Sequence, residues 1–167
     1  GIEWGYNNFD IPELANYSDS GTAITDMNGK ANTEAVLNYA TAQTDWKTAS
    51  AITFTNEAGY YPLFECSWRY HTSGTSQGDW FVPACGQLNY VVSDTMVLEK
   101  LNAGFTAIGA NLFELINGVQ LGTSTEKSSD SAFVLYPYFS IKNWVERGKN
   151  TPSFRTRPFC TKLMTSI

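Results

Sequence analysis

The sequence predicts an α+β domain with helices first and strands after. Two patterns carry that expectation. Apolar residues recur at helical spacing between residues 32 and 108, and short aromatic or β-branched runs follow from residue 112. Gly, Ser, Asn and Pro separate those later runs, as the turns of a sheet require. The 167 residues suffice for one core, enough to bury roughly two thirds of the unfolded surface.

Residues 1–27 read as a loop-rich arm, and residues 28–167 as the domain proper. Pro12, Ser18-Asp19-Ser20-Gly21 and Asn28-Gly29 supply turn chemistry. A first helix is expected from Asn32 or Thr33 to Ala40. Either residue can cap free N–H groups, Glu34 faces the positive end of the dipole, and Val36, Leu37 and Ala40 form the apolar face. Ala51–Thr55 alternates and reads as a short strand. A second helix is expected from Pro62, a residue suited to the first turn, through Tyr70. His71–Gly78 is a polar loop.

After Pro83 a third helix is expected around Gln87–Val92. Asp94 or Thr95 then caps a fourth, with Val97, Leu98, Leu101, Phe105 and Ile108 at helical spacing and Gly104 weakening its middle. Leu112–Leu121, Ala132–Tyr138 and Ser153–Thr161 are expected as strands of an antiparallel sheet. Alternation puts Phe133 and Leu135 on one side, Val134 and Tyr136 on the other.

Aromatic content is 14%, charged content 16%, and net charge −5. Such a chain fits an extracellular binding protein better than a cytosolic enzyme, and its acidity argues against non-specific nucleic-acid binding. Charge is uneven. Residues 1–46 hold seven acids against Lys30, while residues 142–167 hold six bases against Glu146. The two ends pair within the fold, or the basic end meets an anionic glycan. Cys66, Cys85 and Cys160 allow at most one internal disulfide and show no metal spacing, so buried thiols are the simpler expectation. No apolar run approaches the about 20 residues of a membrane span. Gly1-Ile2-Glu3-Trp4 has no basic n-region or apolar h-region, and the chain begins without Met. A processed protein or a fragment of a longer one is expected.

Five short motifs stand in a fixed order: Gly29-Lys30-Ala31-Asn32-Thr33, Asp79-Trp80-Phe81-Val82-Pro83 with Leu88, Thr123-Ser124-Thr125-Glu126, Ser131-Ala132-Phe133, and Thr156-Arg157-Pro158-Phe159. The set resembles the bacterial family of the Legionella collagen-like protein C-terminal domain and the Fibrobacter major paralogous domain. It spans roughly residues 28–162. Val82, Gln87 and Gly122 stand where that family usually has Leu, Glu and Trp. The resemblance implies a C-type-lectin-like fold: helices packed on a small twisted sheet, with a loop-rich binding face. Related domains serve as adhesin tips, phage receptor-binding tips and variable proteins of diversity-generating retroelements. It implies no catalysis. The Glu-Pro-Asn, Gln-Pro-Asp and Trp-Asn-Asp signatures of calcium-dependent sugar binding are missing from this sequence.

Trp80 and Pro83 read as core, the Pro forcing extended chain before a helix. Glu126 and Arg157 read as a buried ion pair clamping two strands, or as a ligand-facing pair. His71 has no neighbouring metal ligand and no Gly-x-Ser-x-Gly elbow to serve. Asp26–Lys30 looks faintly like a calcium loop, but turn chemistry explains it better. Asn16-Tyr17-Ser18 is a formal glycosylation sequon, without meaning in a bacterial or phage protein. Four aromatics fall within nine residues at Tyr136, Tyr138, Phe139 and Trp144, beside Lys142, Asn143 and Arg147. Flat apolar faces with hydrogen-bond donors suit a glycan or protein epitope. Alternation would instead turn half of them inward. His71–Gln77 is placed to border that region.

The expectation is therefore a non-enzymatic recognition module of a bacterial surface adhesin or phage receptor-binding protein, without cofactor or metal. Its partner is a cell-surface glycan or protein, not nucleic acid, and it does not insert in membranes. Multivalency through a trimeric parent would raise its avidity. The alternative is a structural subunit of a fibre, pilus or virion.

Overall fold

The computed structural model describes residues 1–5, 8–42, 61–107, 109–138 and 141–160. Ala51–Thr55, Ile108, Phe139 and Thr161 lie outside them. Among the described residues the fold is α+β, with five helices and two small sheets. The helices are α1 (Ser20–Ala23), α2 (Gly29–Ala42), α3 (Pro62–Arg69), α4 (Cys85–Ser93) and α5 (Thr95–Ala107). The strands are β1 (Trp80–Phe81), β2 (Gln120–Glu126), β3 (Ser131–Tyr138), β4 (Ile141–Gly148), β5 (Phe154–Arg155) and β6 (Phe159–Cys160). Their order is β4-β3-β2-β5 in one sheet and β1-β6 in the other.

Local signals set several boundaries. Pro62 opens α3. Asp94 separates α4 from α5, its Oδ1 accepting the Met96 and Val97 N–H groups at 2.8 and 3.3 Å. The Gln87 side chain accepts the Ala84 N–H at 3.0 Å. Its amide oxygen thus does what a carboxylate would do there.

Other expectations are corrected. α2 begins at Gly29, three residues before Asn32, because Asp26 accepts the Asn28 N–H ahead of the first turn at 3.0 Å. Strand geometry begins at Gln120 rather than Leu112. The preceding segment bends instead, its Asn102 bonding both the N–H and C=O of Phe113. The large sheet is mixed, since β2 and β5 run parallel. Ser153–Thr161 supplies two short strands to different sheets. β4, which is not among the expected strands, pairs with β3 from Ser131↔Gly148 to Tyr138↔Ile141.

The sheet is covered on both sides. One side meets α2, α3 and the N-terminal arm through Trp4, Ile11, Val36, Phe64, Val134 and Phe154. The other meets α4 and α5 through Leu88, Val92, Leu121 and Leu135. Phe133 packs with Ala23 and Cys85. The arm docks through paired backbone bonds between Ile2 and Phe154, at 2.8 and 3.0 Å.

Three of the five ordered motifs, those around Asn32, Pro83 and Thr125, converge on one polar network with Asp26. Asp26 Oδ2 accepts from Asn32 Nδ2 and Thr125 Oγ1, both at 2.8 Å. Thr125 Oγ1 accepts the Cys85 N–H at 2.9 Å, and Thr33 Oγ1 accepts the Val82 N–H at 3.1 Å. Ser124 N–H donates to Pro83 O at 2.9 Å. Satisfied buried groups of this kind specify one arrangement of elements. Gly29 is required by close approach: a Cβ there would stand 2.2 Å from Gln87 Oε1 and 2.7 Å from the Ala84 nitrogen. Gly122 is similar, since a Cβ would meet Leu63 Cδ2 at 2.9 Å. A Trp at that position would need Leu63 displaced.

Trp80 is corrected too. It is half-buried in β1, edge-on to Tyr70 at 5.0 Å, its indole donating to Thr75 Oγ1 at 2.9 Å. It pins the 70–79 loop. Among the described residues the fully buried Trp is Trp4, whose indole N–H reaches Thr123 O at 2.8 Å.

Candidate functional site

The β3–β4 register divides the predicted aromatic cluster between two sides of one hairpin. Strand alternation places Tyr136, Tyr138, Asn143 and Arg147 on the side that carries Val134 and Val145. Lys142 and Trp144 fall on the other side, with Leu135.

The Lys142 and Trp144 side is committed to packing. Trp144 lies against the Leu135 and Phe133 clusters, and its indole N–H donates to Asn89 Oδ1 of α4 at 3.3 Å. Lys142 Nζ donates to Val92 O at the end of the same helix. Cations suit helix C-termini, where carbonyls lack partners. Sequence reasoning missed Asn89 and Val92 as partners. The only local signal was a polar Asn next to the buried Leu88.

On the other side, exposure rises from the base of the hairpin to its distal end. Ala132 and Val134 are fully buried, Tyr136 and Asn143 half-buried, and Tyr138 is 47% exposed. The Tyr136 and Tyr138 rings stack, centroids 6.3 Å apart and planes at 20°. The Arg147 guanidinium sits over Tyr136, 5.8 Å from its centroid, and donates to Glu146 O at 3.0 Å. Among the described residues no carboxylate pairs with Arg147. The result is an aromatic ledge in which Tyr136 meets both Tyr138 and Arg147, with Asn143 opposite it in the register.

The His71–Gln77 loop folds on itself. Its contacts run between Thr72 and Thr75, from Thr75 to Trp80, and from the Ser76 N–H to Asp79 at 2.7 Å. They tie it to the β1 edge of the molecule.

Glu126 and Arg157 do not pair. Glu126 meets Lys149, both side chains fully buried. Lys149 also donates to Phe9 O at 2.8 Å and stands 4.7 Å from the centre of the Trp4 ring. Glu126 Oε2 accepts the Ile11 N–H at 3.4 Å. Burial pushes the Glu126 carboxyl up, and Lys149 opposes that push. Burial likewise pulls Lys149 down, against the pull of Glu126. The pair therefore closes on the arm. Arg157 instead donates to Leu112 O at 3.0 Å and lies over Phe113.

No group of three potential metal ligands occurs among the described residues. All three cysteines are free thiols. Burial pushes the Cys85 thiol up to about 12, opposite to the activation a nucleophile needs. His71 is exposed, its Nδ1 beside Arg69 O at 3.1 Å. No helix is long and apolar enough to cross a membrane, among the described residues. No protein-family model, curated protein or solved structure matches this chain.

Proposed function

We propose that this chain is a non-enzymatic recognition module of C-type-lectin-like architecture, displayed on a bacterial surface protein or phage fibre. It binds a cell-surface glycan or protein through the distal ledge of the β3–β4 hairpin. The observation that carries this reading is the stacked Tyr136–Tyr138 pair at the distal end of the hairpin, with Tyr138 47% exposed and Arg147 over the Tyr136 ring. Two stacked phenol rings present apolar area at little conformational cost, with hydrogen-bonding tips. The architectural part rests on the ordered motifs, on the convergence of three of them in one polar network, and on the pairing of Ile2 with Phe154 near the two ends of the chain.

The test is a glycan array joined to a bacterial cell-binding assay, run with the native chain, Tyr138→Ala and Tyr136→Ala. Binding that both substitutions reduce at unchanged melting temperature supports the reading. Binding untouched by either places recognition elsewhere and ends it. A stable oligomer in light scattering that buries Tyr138 would favour a structural subunit instead.

A further inference from the structure

The sheet order gives β4 one neighbour, β3, and leaves its other edge unpaired among the described residues. The far end of the sheet differs, because β5 pairs with Ile2 of the arm. We infer that a second copy of this chain adds to the β4 edge, antiparallel and centred on Trp144, so that two sheets become one. The inference stands apart from the recognition reading and goes beyond it.

Two hydrogen bonds fix which backbone groups of β4 face outward. The Lys149 N–H donates to Asp130 O at 2.9 Å, one step beyond the Ser131↔Gly148 pair. Bonded and non-bonded pairs alternate along an antiparallel ladder. Asn143, Val145 and Arg147 therefore bond to β3, while Lys142, Trp144 and Glu146 turn their N–H and C=O groups outward. Pro137 agrees: it stands opposite Lys142, has no N–H to give, and its C=O accepts the Gly118 N–H at 3.0 Å, away from β4. The outward edge is also accessible. Lys142 and Glu146 are exposed and no described residue of β4 is buried, whereas Ala132 to Leu135 of β3 all are. Neither a proline nor a bulge interrupts the edge, the usual devices against pairing. It closes at Gly148, whose C=O accepts the Thr151 N–H at 3.1 Å.

Charge selects the partner and the register. Outward residues must meet outward residues, so Lys142, Trp144 and Glu146 can bond only within their own set. Centring on Trp144 places Lys142 of each copy opposite Glu146 of the other, and Trp144 opposite Trp144. Opposite charges directly across a strand pair stabilise it, and like charges do the reverse. Centring on Lys142 or on Glu146 would set like charges face to face. Centring on Asn143 or Val145 would leave both charges without an opposite one. The edge is thus complementary to itself in one register, the self-matching patch that a two-fold dimer needs. The contacts already present persist, since an ammonium has three donors and a carboxylate two oxygens. Lys142 keeps Val92 O, and Glu146 keeps Lys127. Arg147 Nη1 takes one lone pair of Glu146 O and leaves the other. The half-buried Trp144 side chains become cross-strand neighbours, and Tyr138, one strand further in, takes no part.

The test is sedimentation of the intact chain over a wide range of concentration, joined to hydrogen exchange read residue by residue. A dimer is expected, with exchange at the Lys142, Trp144 and Glu146 amides slowed as concentration rises. Asn143 and Val145, bonded to β3, should exchange slowly at every concentration. Lys142→Glu and Glu146→Lys, made singly, each set like charges across the pair and should weaken dimerisation ten-fold or more. The two together restore opposite charges and should recover most of the loss. A chain that stays monomeric overturns the inference. So does a dimer whose three outward amides exchange as in the monomer, or one in which the double reversal dimerises no better than the single ones. The exchange pattern of the native chain needs no variant, so it decides even where a reversal unfolds the protein. Loss of glycan or cell binding in Tyr138→Ala is read separately and leaves this result unchanged.

Discussion

The two sides of the β3–β4 hairpin have similar chemistry and opposite fates. Both carry aromatics, a long cation and a polar amide or amide partner. On one side Trp144 and Lys142 are tied to α4 through Asn89 and Val92. On the other, Tyr136 meets the Tyr138 ring and the Arg147 guanidinium, and Tyr138 is 47% exposed. The difference lies in what the neighbouring elements bring, not in residue type. A helix terminus and its Asn give Trp144 and Lys142 partners, whereas the distal Tyr138 is 47% exposed. An aromatic cluster therefore predicts a binding surface only where the fold leaves it uncovered.

Substitutions sharpen or break this contrast. The largest effect should come from the covered base of the tyrosine side. Removing one partner of the Glu126–Lys149 pair leaves a buried charge uncompensated, so Lys149→Met should cost about 3–5 kcal/mol in urea unfolding. The double variant Glu126→Gln with Lys149→Met should recover much of that loss. Equal losses in the single and double variants would contradict a closed pair.

Trp144→Ala should cost about 2–3 kcal/mol, below the full cost of a buried Trp because the ring is half-covered. Any loss of binding should then follow the loss of fold. A Trp144→Ala chain that melts like the native one would move Trp144 to the binding side of the comparison.

The next effect depends on pH. Burial holds the Cys85 thiol up at about 12 against an ordinary 9.0, and raises the Tyr61 phenol above 10.0. Both groups hold their protons more tightly when folded. Their contribution is complete below about pH 9 for Cys85 and about pH 10 for Tyr61, and is lost as pH rises above those values, by about 1.4 kcal/mol per pH unit for each group. Urea midpoints between pH 8 and 11 should fall, and Cys85→Ala should flatten the slope. A native slope matched by Cys85→Ala would show that the thiol is not held neutral.

The smallest stability effect belongs to the ledge. Tyr138→Ala should change unfolding by no more than about 0.5 kcal/mol, as expected for a side chain away from the core.

Much of the fold was legible because local chemistry marked it. Pro62 opens a helix, Asp94 caps one, and the alternation of Phe133, Val134 and Leu135 survives as burial on opposite sides of the sheet. β4 was not legible. Ile141, Asn143, Val145 and Arg147 alternate with Lys142, Trp144 and Glu146, so each side mixes apolar and polar residues and the two-residue period disappears. Each side is in fact covered over part of its length only. Lys149 was hidden for another reason: it lies 23 residues from Glu126, in the turn after β4, and no local motif marks a buried lysine. The site residues were found as a cluster, but their division between two sides required the register.

In the proposed function the tyrosine ledge recognises and the Trp144 side supports. The sharpest measurement is the binding of Tyr138→Ala to the glycans or cells that the native chain captures, at equal folded concentration. At least a ten-fold loss of affinity is expected, with no shift in melting. Native-like affinity in that variant would contradict it.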